Sequence, residues 1–124
     1  MKRRLSFFSA SVATLLLAAC GERGTAESTA TIGDAERGRI ALTQYACHAC
    51  HMIPGITGSE VFVGPSLHGL ANRPTIAGDI PNTPDNLAHW IRNPQAFDAA
   101  TAMPNMGVNE QDARDMTAYL ARLR

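Results

Sequence analysis

The sequence has almost no lysine: Lys2 is the only one among 124 residues. Beyond Lys2-Arg3-Arg4 it has no basic run and no patch that combines aromatic with cationic side chains, which argues against binding to nucleic acid. Its longest apolar run, Leu5 to Ala19, is too short to cross a bilayer comfortably. The sequence contains neither an internal repeat nor a sustained strand pattern, so the predicted fold class is all-α.

The apolar run has the features of a secretory signal, because three cationic residues, Lys2-Arg3-Arg4, precede it. It ends in Leu17-Ala18-Ala19-Cys20, and small residues before a cysteine resemble the lipobox of bacterial lipoproteins. That resemblance implies cleavage before Cys20 and acylation of Cys20. The alternative is an ordinary signal peptide that happens to contain a cysteine.

This interpretation predicts three regions. Residues 1–19 would be a lipoprotein signal peptide, residues 20–32 an acylated cysteine and flexible linker, and residues 33–124 one small domain. A lipid anchor would place that domain at the periplasmic or outer face of a membrane in a bacterial cell envelope. The mature chain would keep 8 of the 11 basic residues against 11 acidic ones, a formal charge of −3 with no lysine.

The most informative motif is Cys47-His48-Ala49-Cys50-His51. Its spacing is the attachment signature of c-type haem, in which two thiols add to neighbouring vinyl groups and the next imidazole ligates the iron. The motif therefore predicts one covalent haem c, with Cys47 and Cys50 as anchors and His51 as the proximal ligand. A redox dithiol or half of a zinc site is the alternative, but the first needs a βαβ setting and the second another ligand pair.

Three segments have helical periodicity and a capping residue. Asp34 precedes a predicted helix from Ala35 to about Ala46, in which Gly38 suggests a close approach by another element. Thr83 and Pro84 begin a second helix that should end before Pro94. The third helix begins near Asn109. Residues 52–81 are rich in glycine and proline and are predicted to form a loop.

Methionines supply the candidates for a second iron ligand, since a thioether is a soft, neutral ligand that favours reduced iron. Met103 and Met106 lie in the loop after the second helix, whereas Met52 adjoins the proximal motif and Met116 lies on a helix face. From the sequence pattern alone, Met103 has only a modest advantage over Met106.

Several ordered motifs between Gly33 and Arg124 resemble those of class I cytochromes c. They are Gly33 to Gly38, Gly64 to Leu70 with Arg73, Leu87 to Pro94, Thr101 to Pro104, and Ala118 to Leu120. The resemblance implies the class I cytochrome c fold, in which the N- and C-terminal helices cross and a short middle helix and long loops wrap one haem.

The resemblance also implies residue roles. Met103 falls where the family has its distal sulfur ligand, and Met106 is then expected to pack in the core. Pro65 matches the residue whose carbonyl accepts a hydrogen bond from the second nitrogen of the proximal imidazole. That bond orients the ring. Arg73 and Thr101 match groups that bind the haem propionates.

Trp90 matches an aromatic residue that forms a wall of the haem pocket. The middle loop and the segments around Trp90 and Met103 are most similar to the haem-c domain fused to subunit II of some bacterial terminal oxidases. The resemblance implies a monomeric one-electron carrier, not an enzyme, whose partners are a terminal oxidase or a quinol or dehydrogenase complex. We expect electron transfer that depends weakly on ionic strength, because the mature domain has no lysine.

Two other functions stay open at this point. A haem peroxidase or gas sensor would need Met103 to leave the iron, and nothing near Met103 supplies the acid–base pair that peroxide cleavage uses. A lipoprotein that handles copper or disulfides would keep Cys47 and Cys50 as free thiols without haem.

Overall fold

The computed structural model describes residues 33–124; the predicted signal peptide, Cys20 and the linker lie outside the described residues. The described part contains three α-helices: α1 (Ala35–Gln44), α2 (Pro84–Arg92) and α3 (Glu110–Leu120). Short 3-10 turns lie at Cys47–Ala49, Leu70–Asn72 and Pro94–Ala96. The predicted all-α class with long connecting loops is confirmed.

Each helix begins at a side chain that accepts a hydrogen bond from the first helical turn. Asp34 accepts from the amide of Arg37, and Thr83 and Asn109 make the equivalent contacts at α2 and α3. Such caps satisfy amides that have no partner inside the helix. The three starts therefore agree with those predicted from the sequence.

Helix α1 ends at Gln44, earlier than the predicted Ala46. Ala46 has a φ of 54°, in the left-handed region that an α-helix cannot contain, and it opens the 3-10 turn Cys47–Ala49. Helix α2 ends at Arg92, before Pro94, because the residue that precedes a proline is disfavoured in helical conformation.

A short antiparallel ladder lies within the segment that the sequence predicted to be loop throughout. Strand β1 (Thr75–Ile76) pairs with β2 (Ile80–Pro81), with Ile76 opposite Ile80. The Asn82 side-chain amide donates to the carbonyls of Leu70 and Arg73 and so ties the ladder to the preceding turn. Two residues per strand are too few to produce a recognisable period in the sequence.

The backbones of helices α1 and α3 approach each other very closely where the two helices cross. A β-carbon on Gly38 would overlap the Asp115 carbonyl, and one on Gly33 would lie 2.5 Å from the Arg114 carbonyl carbon. The predicted close approach at Gly38 is therefore confirmed. The three helices bury one apolar core that contains Ala41, Leu42, Ile53, Ile56, Leu70, Ile76, Leu87, Ile91, Val108, Ala113, Met116, Leu120 and Leu123.

A buried carboxylate joins the two crossing helices. Asp115 on α3 is 1% exposed, and it accepts from the Asp34 amide at 2.6 Å and from Arg37 Nε at 2.7 Å. Arg37 Nη2 and the Gln111 amide also donate to it, at 3.1 and 3.0 Å. These donors, Arg37 first, hold the pKa of Asp115 below its ordinary value of 3.8 despite its burial. The carboxylate thereby fixes the start of α1 on the middle of α3.

None of the helices in the part of the chain that the structure describes combines the length and the hydropathy that a bilayer span requires.

The contacts of Asp115 with Asp34 and Arg37, here called the Asp115 clamp, predict that the fold loses stability in acid. Because its folded pKa is lowered, the carboxylate stabilises the fold above the ordinary aspartate pKa, and this contribution is lost as the pH falls through the folded value. Asp115→Asn should lower the free energy of unfolding at neutral pH by about 1–3 kcal/mol and flatten its dependence on pH between about 5 and 3. Urea unfolding of the haem-bound protein at several pH values measures both effects.

The matched control is Glu110→Gln, which removes an exposed carboxylate that pairs with Arg114 on the same helix. Exposed pairs contribute little, so this variant should unfold like the parent. Equal stability of the Asp115→Asn variant and the parent at neutral pH would show that the clamp does not stabilise the crossing.

Candidate cofactor-attachment site

The two cysteines of the motif lie in one tight turn that follows α1 directly. The amides of Cys50 and His51 both donate to the Cys47 carbonyl, at 3.3 and 3.0 Å. Cys47 and Cys50 are half-buried, and no disulfide joins them. Burial raises the pKa of the Cys47 thiol. The left-handed Ala46 thus turns the chain out of α1 and places both sulfurs and His51 within one turn of backbone.

A single backbone oxygen orients the His51 imidazole. Its Nδ1 lies 2.8 Å from the Pro65 carbonyl, so Nδ1 carries the proton and donates. The Nε2 lone pair is then the one available to a metal, and the hydrogen bond raises its donor strength. The structure therefore brings Pro65 to the ring nitrogen that the family resemblance implied.

Gly64 gives the His51 ring the space it occupies. A β-carbon at Gly64 would lie 2.5 Å from His51 Cε1 and 2.8 Å from Nδ1. Two backbone hydrogen bonds hold this segment in place, from Gly64 to the Cys50 carbonyl at 2.7 Å and from Leu67 to the Met52 carbonyl at 2.9 Å. Residues 64–67 therefore run alongside the motif and form one side of the cradle around the imidazole.

Arg73 is half-buried and organises the same segment. Its Nη2 donates to the carbonyls of Ser66 and His68, at 2.6 and 3.0 Å. A planar guanidinium has five N–H donors, so these contacts leave others for an anionic group. The implied contact with a haem propionate stays a prediction.

Trp90 on α2 is half-buried and packs against the core. The ring of Phe97 lies edge-on to it at a centroid distance of 6.2 Å, and it also meets the His89 ring at 4.7 Å. Edge-to-face contacts of this kind stabilise aromatic pairs. Phe97 therefore joins the start of the methionine-containing loop to α2.

The backbone on both sides of Met103 is hydrogen-bonded. Its amide donates to the Thr101 hydroxyl at 3.3 Å, and its carbonyl accepts from the Gln95 side chain at 2.8 Å. Met103 is half-buried. Thr101 and Gln95 thus hold the loop at the predicted sulfur ligand, although ligation by Met103 and the propionate contact of Thr101 stay predictions.

The expectation that Met106 packs in the core is wrong, because its side chain is 43% exposed. The Asn105 side chain accepts from the Gly107 amide at 2.9 Å, and Gly107 has a φ of 69°. This turn directs Met106 to solvent, and Val108, 6% exposed, fills the core instead.

Two residues of this site have no role that the sequence predicted. Gly64 had a signal, since it directly precedes the proline that orients His51, yet only the structure shows that its missing β-carbon matters. Gln95 had none, because an exposed amide side chain eight residues before Met103 has no distinguishing feature in the sequence.

These residues fit a covalent haem. Two half-buried thiols and an imidazole with a free Nε2 lie in one turn, and Gly64 leaves room for the ring. Leu67, Ile80 and Trp90 pack on the core but remain partly exposed, which gives an apolar plate a surface to cover. The donor set of soft sulfur and imidazole nitrogen is one that iron in a porphyrin accepts.

Comparison with known proteins gives two findings. The family profile described as "Cytochrome c" matches residues 35–124, which include every predicted site residue of the described part. The chain is also 34% identical over 99 residues to "Cytochrome c oxidase subunit 2" of Alkalihalophilus pseudofirmus. That match covers 79% of this chain and 28% of the relative, so the chain spans roughly a quarter of that protein's length.

The close approach of Gly64 to the His51 ring predicts that a side chain at position 64 disturbs the orientation of the imidazole. Gly64→Ala would place a methyl group 2.5 Å from His51 Cε1 and should displace the ring from the Pro65 carbonyl. The exchange of the His51 Nδ1 proton with solvent, followed by NMR of the reduced haem-bound protein, should accelerate at least about tenfold, which corresponds to about 1.4 kcal/mol.

The control is Gly58→Ala. Gly58 has a φ of 77° and its β-carbon would meet nothing within 4 Å, so this variant strains the backbone without touching His51. Exchange as slow in Gly64→Ala as in the parent would show that the glycine is not needed to seat the ring.

Proposed function

This chain belongs to the cytochrome c family, and we propose that it is a membrane-tethered carrier of single electrons between respiratory-chain partners, with a terminal oxidase as the acceptor. Its cofactor is one covalent haem c, attached at the Cys-x-x-Cys-His motif through Cys47 and Cys50. The observation that carries the proposal is the His51–Pro65 hydrogen bond, since it prepares one imidazole nitrogen for iron inside this family's fold.

The residues of the chain have separate tasks in this proposal. His51 presents Nε2, and the Pro65 carbonyl keeps the ring in the tautomer that can ligate. Met103 would supply a neutral sulfur ligand, and Thr101 and Gln95 hold its backbone. Haem, when bound, supplies an iron that cycles between Fe(II) and Fe(III).

We propose a carrier rather than an enzyme because His51 and Met103 would both ligate the iron. No coordination position would then remain for a substrate, peroxide or gas. Arg73 would offset the negative charge of the propionates with the guanidinium donors that do not bind Ser66 and His68. Trp90 would close the pocket with its ring.

The likeness to an oxidase subunit supports the choice of partner. The relative's name describes a subunit of cytochrome c oxidase, and the match with this chain covers 28% of that protein's length. We therefore propose a terminal oxidase as the acceptor and a quinol or dehydrogenase complex as the donor. We also propose that the protein is a monomer and acts at the outer face of a bacterial membrane, held by acylated Cys20.

The sulfur ligand gives a direct test. In the oxidised parent, the absorption spectrum should show the methionine–iron charge-transfer band, and the reduced parent should not bind carbon monoxide. Met103→Ala should lose the band completely, bind carbon monoxide at one equivalent and have a lower reduction potential, because the soft ligand favours reduced iron.

Met106→Ala is the matched control, since it removes the same side chain three residues away at a 43% exposed position. It should keep the band and the potential of the parent. If Met106→Ala loses the band instead, the ligand is assigned to the wrong methionine. Carbon monoxide binding by the parent would favour a gas sensor or peroxidase over a carrier.

The anchor has its own test. The full-length protein made in a bacterial host should incorporate labelled palmitate and remain with the membrane fraction, whereas Cys20→Ser should be unlabelled and soluble, since loss of the acyl chains removes the membrane affinity. Ser28→Ala, a similar small change within the predicted linker, should behave like the parent. A parent protein that carries no label would contradict the tether and leave the ordinary signal peptide as the explanation.

A further inference from the structure

An exposed apolar arch lies between the motif and the proline that orients His51. It consists of Glu60-Val61-Phe62-Val63, and we call this segment the 60–63 arch. Phe62 is 80% exposed and Val63 is 79% exposed, whereas the next most exposed large apolar residue in the described part of the chain, Ile40, is 44% exposed. Adjacent large apolar side chains that are exposed to this extent are typical of a surface that binds a partner.

Both ends of the arch are held firmly. Ser59 is 3% exposed, and its hydroxyl accepts from the Ile53 amide at 3.1 Å and donates its one proton to the carbonyl of Ile56 at 2.8 Å or of Ile53 at 3.0 Å. At the other end, the Gly64 amide donates to the Cys50 carbonyl at 2.7 Å. Four residues lie between these anchors, and the side chains of Phe62 and Val63 lie in solvent rather than against the core.

The arch also adjoins the cofactor site. Gly64 follows Val63 directly and touches the His51 ring, and Cys50 receives the hydrogen bond that ends the arch. A protein seated on Phe62 and Val63 would therefore lie against the segment that holds the haem, where a short electron-transfer distance is needed.

We propose that the 60–63 arch is the docking element for the redox partner, with Phe62 and Val63 inserted into an apolar, uncharged recess on that protein. This inference rests on the proposed electron-carrier function and adds the chemistry of the surface that the partner offers. The partner is recognised by apolar contact rather than by acidic residues that would pair with lysines.

The size of the arch favours a transient protein partner over a second copy of this chain. A stable dimer needs about 800 Å² of buried surface on each subunit, which two side chains do not provide. Electron-transfer encounters bury less surface, and a single desolvated aromatic anchor suits them.

The net negative charge of residues 33–124 argues against a lipid surface as the ligand of the 60–63 arch. Glu60 is the one charged residue in the arch, and residues 33–124 contain nine acidic residues against seven arginines. Anionic headgroups would repel such a domain.

The test uses the full-length, haem-bound protein and membranes of the bacterium that produces it, from a strain without its own copy. Oxidation of the reduced protein by these membranes is followed at the haem α-band for the parent, Phe62→Ser and the control Ile40→Ser, another exposed apolar position, on α1. Phe62→Ser should slow the reaction about tenfold, while Ile40→Ser should stay within about twofold.

Two further measurements separate docking from other effects. Ferricyanide, a small oxidant that needs no protein interface, should oxidise all three proteins at the same rate. The rate of the parent with membranes should change less than about twofold between low salt and about 0.15 M salt, because screening removes little from an apolar contact.

Failure of the inference differs from failure of the proposed function. A parent that the membranes do not oxidise at all contradicts the carrier function with an oxidase as acceptor. If the membranes oxidise the parent and oxidise Phe62→Ser as fast as Ile40→Ser, the docking proposal alone is overturned. A slower reaction of Phe62→Ser with ferricyanide overturns it as well.

The lipid alternative is decided by sedimentation with vesicles of phosphatidylglycerol and phosphatidylcholine. The Cys20→Ser protein and the double variant Cys20→Ser with Phe62→Ser should remain equally in the supernatant. Vesicle binding that is lost when Phe62 is replaced would identify a membrane as the occupant and overturn the proposal.

Discussion

The contact between α1 and α3 determines where the rest of the site lies. Gly38 brings the two backbones together, and Asp115 fixes the start of α1 through the Asp34 amide and Arg37. Because the turn with Cys47 begins three residues after α1 ends, the position of α1 decides the position of both cysteines and His51. A shift of α1 along α3 would carry the whole motif with it and away from Pro65.

The second requirement is the prosthetic group itself. A described part of 92 residues buries a modest fraction of its surface, and its core is bordered by Leu67, Ile80 and Trp90, which remain partly exposed. A covalent haem would cover these side chains and supply apolar contact that the chain lacks. The segment around His51 is meanwhile held by backbone hydrogen bonds and by a glycine, so the polypeptide itself orients the imidazole.

Local chemistry explains what could be predicted from the sequence. Asp34, Thr83 and Asn109 mark helix starts because their side chains satisfy nearby amides, and the Cys-x-x-Cys-His motif carries its own geometry. The position of Met106 depends instead on the Asn105–Gly107 turn and on Val108, and the ladder at Thr75–Ile76 involves two residues on each side. Contacts made between distant segments, such as Gly64 with His51 and Arg37 with Asp115, leave no periodic trace.

The absence of lysine from residues 33–124 is consistent with the proposed tether. Carriers that diffuse freely gain encounter rate from charged docking surfaces, because long-range attraction steers the partners together. A carrier held at the same membrane as its partner has a high effective concentration without such attraction. In the proposed arrangement, a small apolar arch suffices to orient each encounter. Weak docking then has a further advantage, since a carrier must leave its acceptor after each electron, and an interface of two side chains dissociates quickly.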